Sequence, residues 1–285
     1  MSNSKRTATK EAFWLTKLLD AVHLAHGEAR YPVNIEQLAL QCAEQYRWVD
    51  PIREVSGVDI QGFVGGLFKD PDKNHWLLLY NQKMESPGRI RFTQAHELGH
   101  YILHRQLQDE FKCSAEDMLN WDPDEKDIES QADKFASHLL MPLHDYRKQI
   151  SDTVDLDVLG HCANRYGVSL SAAILKWLEH TDQKAILIHS RDGYMNWSWS
   201  SQPAWKAGAF FRTKQAPVPL PCGSLALDET IAQEKKGQSV PARIWFEYAD
   251  KELPLREMKL TSERYDVVLT LLVLPKFSDV WKPRY

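Results

Sequence analysis

The sequence predicts an α+β protein with a mixed first segment, residues 1–180, and a mainly β second segment, residues 181–285. Apolar residues recur at helical spacing through most of the first segment, which also contains two short strand-like runs. Strand patterns dominate the second segment. The 285 residues suffice for one large or two ordinary domains, and the apolar fraction of 43% is ample for a packed core. We therefore place a domain boundary at residue 180.

Two helices are predicted to open the chain. Residues 10–29 carry apolar side chains at helical spacing, and the pattern is interrupted at Gly27. Asn34 and Gln37 form a capping-box pattern, which predicts the start of a second helix.

Two strands are predicted next, over residues 60–68 and 76–80, with a polar turn between them. The first contains Gly62, Gly65 and Gly66. Glycines at these positions would let the backbone of an extended substrate approach the edge of the strand. The equally weighted alternative is that they mark a bulge or a tight bend.

The next helix contains the pattern H-E-x-x-H, formed by His96, Glu97 and His100. Residues four apart on a helix lie about 40° apart around the axis and about 6 Å along it, so both imidazoles can reach one point. That arrangement suits a tetrahedral zinc ion, and Glu97 could act as general base on a water beside it. Ser86 followed by Pro87 is a typical helix start. The alternative, two histidines without a ligand role, would leave Glu97 beside the buried stripe without an evident partner.

A catalytic zinc needs a third protein ligand, and Glu129 is the candidate. It lies in residues 127–142, whose apolar positions predict a helix with one core-facing stripe. Asp133 follows one turn later, so it could accept a hydrogen bond from a ligand histidine. Without the upstream motif, both carboxylates would be interpreted as solvated side chains on a helix surface.

Two long runs carry a resemblance to a known family. They are R-x-R-F-T-x-A-H-E-L-G-H-x-x-L-H, which contains the histidines, and E-x-x-A-x-x-F-A-x-x-L-L-M-P, which starts at Glu129. They resemble the ImmA/IrrE family of bacterial zinc metallo-endopeptidases, and the likeness extends over residues 30–180. The resemblance implies a zincin-like domain with His96, His100 and Glu129 as zinc ligands and Glu97 as catalytic base. The chain departs from the family pattern at Asp133, where the family more often carries Asn.

The resemblance also implies a substrate and a setting. Members of this family cleave helix-turn-helix transcriptional repressors, often encoded beside them, and so switch on stress, mobile-element or toxin-antitoxin genes. The expected partner is therefore a DNA-binding repressor, cut once at a specific site. Some members carry a GAF-like sensor domain after the peptidase, so we expect residues 181–285 to regulate or target the enzyme. No motif in that segment indicates a GAF-like fold.

A rival interpretation is a non-catalytic helix-turn-helix DNA-binding regulator, or an antitoxin partner, with a structural metal. Two predicted helices meet at residues 166–169 with spacing similar to such a motif. The second of them, residues 170–178, carries one basic residue and few groups that could contact base edges. We therefore interpret the pair as a helical hairpin packed on the peptidase domain. The net charge of −4 also argues against binding nucleic acid as the main task.

Composition predicts a cytoplasmic protein that does not enter a membrane. The first residues are polar and are not followed by an apolar signal region, and the longest apolar run, residues 267–274, is too short to span a bilayer. The four cysteines are scattered without a C-x-x-C pair, which suits reduced thiols. Cys113 lies in an acidic connection between the two metal-binding helices. Its thiolate could occupy the open zinc position and inhibit the enzyme, but we favour an ordinary loop cysteine.

Several further expectations concern less specific patterns. Strands are predicted at residues 185–189, 194–199, 209–212, 243–248 and 267–274, and a helix at residues 227–235. His104 is expected to pack or form a hydrogen bond one turn below the metal. The candidates for stabilising the oxyanion of the reaction are Tyr80, His138, His144 and Tyr166.

Overall fold

The computed structural model describes residues 6–84, 86–113, 128–151 and 153–282. The chain divides into two compact units, one of residues 1–149 and 162–169, the other of residues 150–161 and 170–285. Helices and strands occur in both, which confirms the predicted α+β class. Within the described residues, no helix combines the length and apolar character needed to cross a bilayer.

The first unit combines helices with a four-stranded sheet. Its helices are α1 Ala8–His26, α2 Ile35–Tyr46, α3 Pro87–His104, α4 Ile128–Leu140 and α5 Leu143–Gln149, and the end of α6 Leu156–Tyr166 also belongs to it. Its strands are β1 Ile52–Val58, β2 Gly65–Lys69, β3 Trp76–Asn81 and β4 Glu110–Cys113.

Local signals set the ends of the first two helices as the sequence predicts. Helix α1 ends at Gly27, whose φ of +71° is a left-handed conformation that glycine adopts without strain. At the start of α2, the side-chain oxygen of Asn34 accepts a hydrogen bond of 3.0 Å from the backbone N–H of Gln37.

The order of the sheet, β1-β3-β2-β4, corrects the expected substrate edge. Strand β3 pairs in parallel with β1 and antiparallel with β2, and β2 pairs antiparallel with β4. The predicted strand at residues 60–68 starts only at Gly65, so its first half is wrong. Because β2 has a neighbour on both sides, neither of its edges is open to a substrate. The edge position on this side belongs to β4, which the sequence did not indicate.

The second unit is built on a six-stranded antiparallel sheet with the order β7-β6-β5-β10-β9-β8. Its strands are β5 Lys184–Arg191, β6 Tyr194–Ser200, β7 Val218–Pro219, β8 Gln233–Pro241, β9 Pro254–Ser262 and β10 Val267–Leu274, and its helices include α7 Leu170–His180 and α8 Gln202–Lys206. A mainly β second part is therefore present, and its likeness to a GAF domain stays a prediction.

Helix α7 does not pack as expected. Its buried residues face strands β5 and β6 of the second unit, whereas the sequence suggested a hairpin on the peptidase domain. An apolar stripe predicts that a helix is buried, but it does not identify the surface that covers it. The domain boundary at residue 180 stays a prediction, and a cut there would remove the β surface against which α7 packs.

The core of the second unit explains which strand predictions succeeded. The predictions at residues 185–189, 194–199 and 267–274 are confirmed. The predicted strands at residues 209–212 and 243–248 are wrong, although Trp245 and Phe246 lie in the core. The predicted helix at residues 227–235 is also wrong, because strand β8 begins at Gln233. The indole N–H of Trp245 donates to the buried carboxylate of Glu257 at 2.9 Å. Core aromatic residues in turns thus produced a false strand signal.

Candidate metal centre

The start of helix α3 is determined by its own capping residues and by packing against a turn far away in the sequence. The hydroxyl of Ser86 accepts from the backbone N–H of Arg89 at 3.4 Å, and Pro87 occupies the first turn, as predicted. A Cβ added at Gly88 would lie 2.7 Å from the carbonyl carbon of Val168. The backbone of the residue 166–169 turn therefore packs directly on α3. The turn that resembles a helix-turn-helix motif thus supports the helix that carries the candidate ligands.

Helices α3 and α4 cross closely at Gly99. A Cβ at this position would lie 3.0 Å from Cδ1 of Phe135 and 3.2 Å from Cα of Ala132, so a larger residue would push the helices apart. Gly99 stands between the two motif histidines and Ala132 follows Glu129 by one turn. The crossing therefore brings the donors of two helices to one buried place.

Four potential ligand atoms converge there. Side-chain atoms of His96, His100, Cys113 and Glu129 all lie within 4.8 Å of one another. Nε2 of His96 is 3.0 Å from Nε2 of His100 and 3.1 Å from Oε2 of Glu129, and His100 Nε2 is 3.4 Å from the same oxygen. The structure thus brings together the three residues that the sequence singled out as ligands.

These spacings fit a bound cation. With metal–nitrogen and metal–oxygen bonds of about 2.0 to 2.1 Å, tetrahedral geometry places two such donors about 3.3 Å apart. The observed separations of 3.0, 3.1 and 3.4 Å lie around that value. A cation between the two imidazole nitrogens would use the lone pairs of both rings, whereas a proton between them is held by one ring and accepted by the other. The donor set of imidazole, carboxylate and thiol is typical of zinc or another divalent transition metal.

Asp133 orients the first histidine. Its Oδ1 is 2.8 Å from Nδ1 of His96, which leaves Nε2 of that ring directed at the cluster. Burial lowers the pKa of His96, but hydrogen bonds with Asp133, Cys113 and Glu129 outweigh it and raise the pKa well above its usual value. A cation at Nε2 would therefore compete with a proton, and binding should release that proton.

The second histidine is held as a neutral ring. Burial lowers the pKa of His100 to about 4. Its Nδ1 lies 3.2 Å from Nδ1 of His104, one turn further on, and its ring stacks on Phe111 at a centroid distance of 4.6 Å. His104 thus forms the hydrogen bond expected of it. A neutral imidazole with one nitrogen engaged by a neighbour has the other nitrogen available as a ligand.

The two glutamates of the site, Glu129 and Glu97, differ in environment. Although burial raises the pKa of Glu129, hydrogen bonds with His100 and His96 lower it well below its usual range, so this carboxylate is ionised. Glu97 is completely buried, and burial raises its pKa to about 7 despite the opposing charge of His96. Within the described part of the chain, neither carboxylate oxygen of Glu97 has a hydrogen-bond partner. A buried carboxylate without a partner is costly, which points to a group that occupies the site in the working protein.

Gly65 explains how the carboxylate of Glu97 is accommodated. A Cβ at Gly65 would lie 2.3 Å from Cγ2 of Thr93 and 3.0 Å from Oε1 of Glu97. Strand β2 therefore approaches helix α3 at a point where only glycine fits. This contact, and not an approaching substrate, accounts for the glycine, because β2 is an interior strand.

Cys113 is the site residue that sequence reasoning placed wrongly. It is the last residue of β4 and buried, with its sulfur 2.9 Å from Nε2 of His96 and 3.5 Å from Oε2 of Glu129. The favoured interpretation as an ordinary loop cysteine is therefore wrong. Burial raises the pKa of its thiol, so the group would be protonated unless a cation binds the sulfur. The signal available in the sequence was its position between the two metal-binding helices.

Two of the oxyanion candidates have other roles in the structure. The hydroxyl of Tyr166 donates to Oδ2 of Asp145 at 2.8 Å. Nε2 of His144 lies 3.5 Å from Oδ2 of Asp20. Tyr80 and His138 stay predictions.

The fold and the site together define a class of protein. Two buried H-E-x-x-H histidines meet a partly buried downstream glutamate, with the buried motif glutamate beside them, and this is the arrangement of a metallopeptidase. Residues 58–178 match the sequence model of the peptidase M78 family, described as the IrrE N-terminal-like domain. The match confirms the resemblance to ImmA/IrrE proteins and supports a metallopeptidase. No curated protein sequence matches the chain.

The metal content of variants tests which side chains bind the metal. Glu129→Ala removes a donor and should reduce metal occupancy more than Asp133→Asn, which keeps an oxygen near His96 and should weaken affinity by about 10-fold to 100-fold. The matched control is Glu44→Ala, an exposed carboxylate on α2 that should leave binding unchanged. Plasma emission spectrometry and competition with a chelator give both quantities. Full metal retention in Glu129→Ala would mean that Asp133 or another group is the ligand.

The close approach at Gly65 predicts a cost in stability. Gly65→Ala should destabilise the protein by about 1 to 3 kcal/mol in denaturant unfolding, because the new methyl group overlaps Thr93. Thr93→Ser removes the overlapping methyl and should recover part of that loss in the double variant. As a control, Gly160→Ala in α6 has open space at the Cβ position and should be neutral or stabilising by up to about 1 kcal/mol. Equal stability of Gly65→Ala and wild type would contradict the predicted contact.

Proposed function

We propose that the protein is a zinc-dependent endopeptidase that makes one site-specific cut in a regulatory protein, a helix-turn-helix transcriptional repressor. The setting would be a stress, mobile-element or toxin-antitoxin response. The observation that carries the proposal is the convergence of the buried His96 and His100 with the partly buried Glu129, beside the carboxylate of Glu97, which has no hydrogen-bond partner within the described residues. It lies in the segment that matches the peptidase M78 family.

The residues divide the chemistry among them. His96, His100 and Glu129 would hold the zinc ion, with Asp133 fixing the ring of His96. Zinc supplies the Lewis acidity that polarises the scissile carbonyl. Glu97 would take a proton from the attacking water and later deliver it to the nitrogen of the leaving amine. Burial raises the pKa of Glu97 to about 7, against the opposing effects of His96 and the neighbouring Cys113 thiol, which suits a group that takes up and releases a proton near neutral pH.

The sheet offers a surface for an extended substrate, though not the one expected from the sequence. Strand β4 pairs with β2 along one edge, and within the described residues no strand pairs with its other edge. Along β4, Phe111 and Cys113 are buried, whereas Glu110 and Lys112 are exposed. A substrate segment could add to this outer edge through main-chain hydrogen bonds. Such a segment must be extended, so cleavage should fall in a flexible linker of the repressor and not inside a helix.

One observation favours a second candidate, a structural metal without catalysis. Three ligands and an open position are typical of catalytic zinc, whereas four protein ligands are typical of structural zinc, and Cys113 provides a fourth donor. The DNA-binding part of that alternative has less support. The one basic residue of the would-be recognition segment, Lys176, is buried and 3.2 Å from a carboxylate oxygen of Glu179. A buried and paired lysine is a poor contact for a DNA phosphate.

The direct test is cleavage of the repressor encoded beside the gene. The zinc-loaded wild-type protein and Cys113→Ser are each incubated with it, and the products are identified by mass spectrometry. We expect one discrete cut in a linker. Glu97→Gln should retain the metal and lower the rate by a factor of about 10² to 10⁴, because a neutral amide cannot accept the proton of the attacking water.

The same samples separate the two candidates. If neither protein cuts the repressor at any zinc concentration or activating condition tried, the proposed peptidase activity is contradicted. Salt-sensitive binding of the metal-loaded protein to DNA, together with absence of cleavage, would instead support the non-catalytic regulator.

A further inference from the structure

The metal centre contains one donor more than an open catalytic site requires. Sγ of Cys113 is within bonding reach of the place where the two histidines and Glu129 converge. Around a tetrahedral zinc ion, with a zinc–sulfur bond of about 2.3 Å, the sulfur would lie about 3.5 Å from each nitrogen or oxygen donor. The observed separations are 2.9 Å to His96 and 3.5 Å to Glu129. A small adjustment at His96 therefore completes a four-donor set.

A second observation concerns access to the general base. Glu97 is 0% exposed, and neither of its oxygens has a partner within the described residues. Its carboxylate lies against Gly65, and Gly65 is the residue opposite Cys113 in the β2–β4 pair. The general base is thus covered by the same pair of strands that brings the thiol to the metal.

We propose that the Cys113 thiolate occupies the fourth coordination position of the zinc ion and holds the peptidase in a latent state. The inference rests on the proposed function and adds its regulation. On zinc binding the thiol proton passes to solvent and the sulfur–zinc bond forms. In that state no position remains for water or for the scissile carbonyl, so the enzyme becomes active only when the sulfur leaves the metal.

The fold makes Cys113 the donor most easily displaced. The two histidines lie on the 18-residue helix α3 and Glu129 on the 13-residue helix α4, and these helices pack closely at Gly99. Cys113 instead ends a four-residue strand that pairs with β2 alone among the described strands. Short edge elements with few contacts open at lower free energy than packed helices. Opening of the end of β4, where Cys113 lies, would remove the sulfur from the metal.

The other cysteines provide controls for this inference. Cys42 and Cys162 are buried and Cys222 is exposed in the second unit. Cys222→Ser removes the exposed thiol and should leave metal coordination unchanged. It therefore serves as the background in which the Cys113 thiol can be followed.

X-ray absorption spectroscopy at the zinc edge tests the ligand without depending on activity. The zinc-loaded full chain with Cys222→Ser should show one sulfur neighbour at about 2.3 Å, and the additional Cys113→Ser change should remove it. Cobalt substitution provides an optical version, in which a sulfur-to-cobalt charge-transfer band should be present in the first protein and absent in the second. Iodoacetamide should label Cys113 slowly in the zinc-loaded protein and faster after chelation of the metal.

A cleavage assay then tests whether the bound sulfur holds the enzyme in a latent state. If the sulfur is bound in 90% or more of the molecules, cleavage of the repressor should be about tenfold or more faster in Cys113→Ser than in the Cys222→Ser background. Zinc bound only by nitrogen and oxygen in the background protein would overturn the thiolate ligand and leave the proposed peptidase intact. The measurement on that protein needs no Cys113 variant, so poor folding of Cys113→Ser would not remove the test.

The remaining outcomes separate the inference from the proposed function. A sulfur ligand together with no cleavage by either protein would overturn latency and support a structural metal. Absence of bound zinc from both proteins would overturn the proposed function itself. Equal cleavage by both proteins, with sulfur coordinated in the background protein, would show that the thiolate does not restrain the enzyme.

Discussion

The close crossing of helices α3 and α4 at Gly99 is the constraint on which the candidate site depends. His96 and His100 lie on one helix and Glu129 on the other, and short side chains can meet only if the two backbones approach closely. Glycine at this position and Ala132 opposite it permit that approach. A larger residue would separate the imidazoles from the carboxylate and so remove the third donor. The glycine inside the H-E-x-x-H pattern is therefore a packing requirement of the site.

The same close packing produces the electrostatics of the centre. Burial lowers the pKa of His100 and raises that of Glu97, while Asp133 holds His96 in one orientation. The same side chains exposed to water would have pKa values close to those of free amino-acid side chains. The second wall of the site is the β2–β4 pair, which approaches Glu97 at Gly65. The packing of the two helices thus positions the ligand atoms, and the β2–β4 pair covers one side of the site.

Sequence patterns predicted the features that depend on local signals. The helix from Pro87, the helix that carries Glu129 and the three expected donors follow from caps, periodicity and motif spacing. Strand β4 could not be predicted in this way, because it has four residues and its position depends on pairing with β2, more than forty residues upstream. Cys113 was misplaced for that reason. The surface that covers α7 is likewise a tertiary feature, which its own apolar stripe does not specify.

We expect one zinc ion between the two helices, held by the donors that the crossing brings together. Anomalous diffraction at the zinc absorption edge, from crystals of the zinc-loaded protein, locates the ion directly. The expected result is one strong peak about 2.0 to 2.2 Å from Nε2 of His96, Nε2 of His100 and a carboxylate oxygen of Glu129. A peak bound through Nδ1 of either histidine, or one that lies away from Glu129, would contradict it.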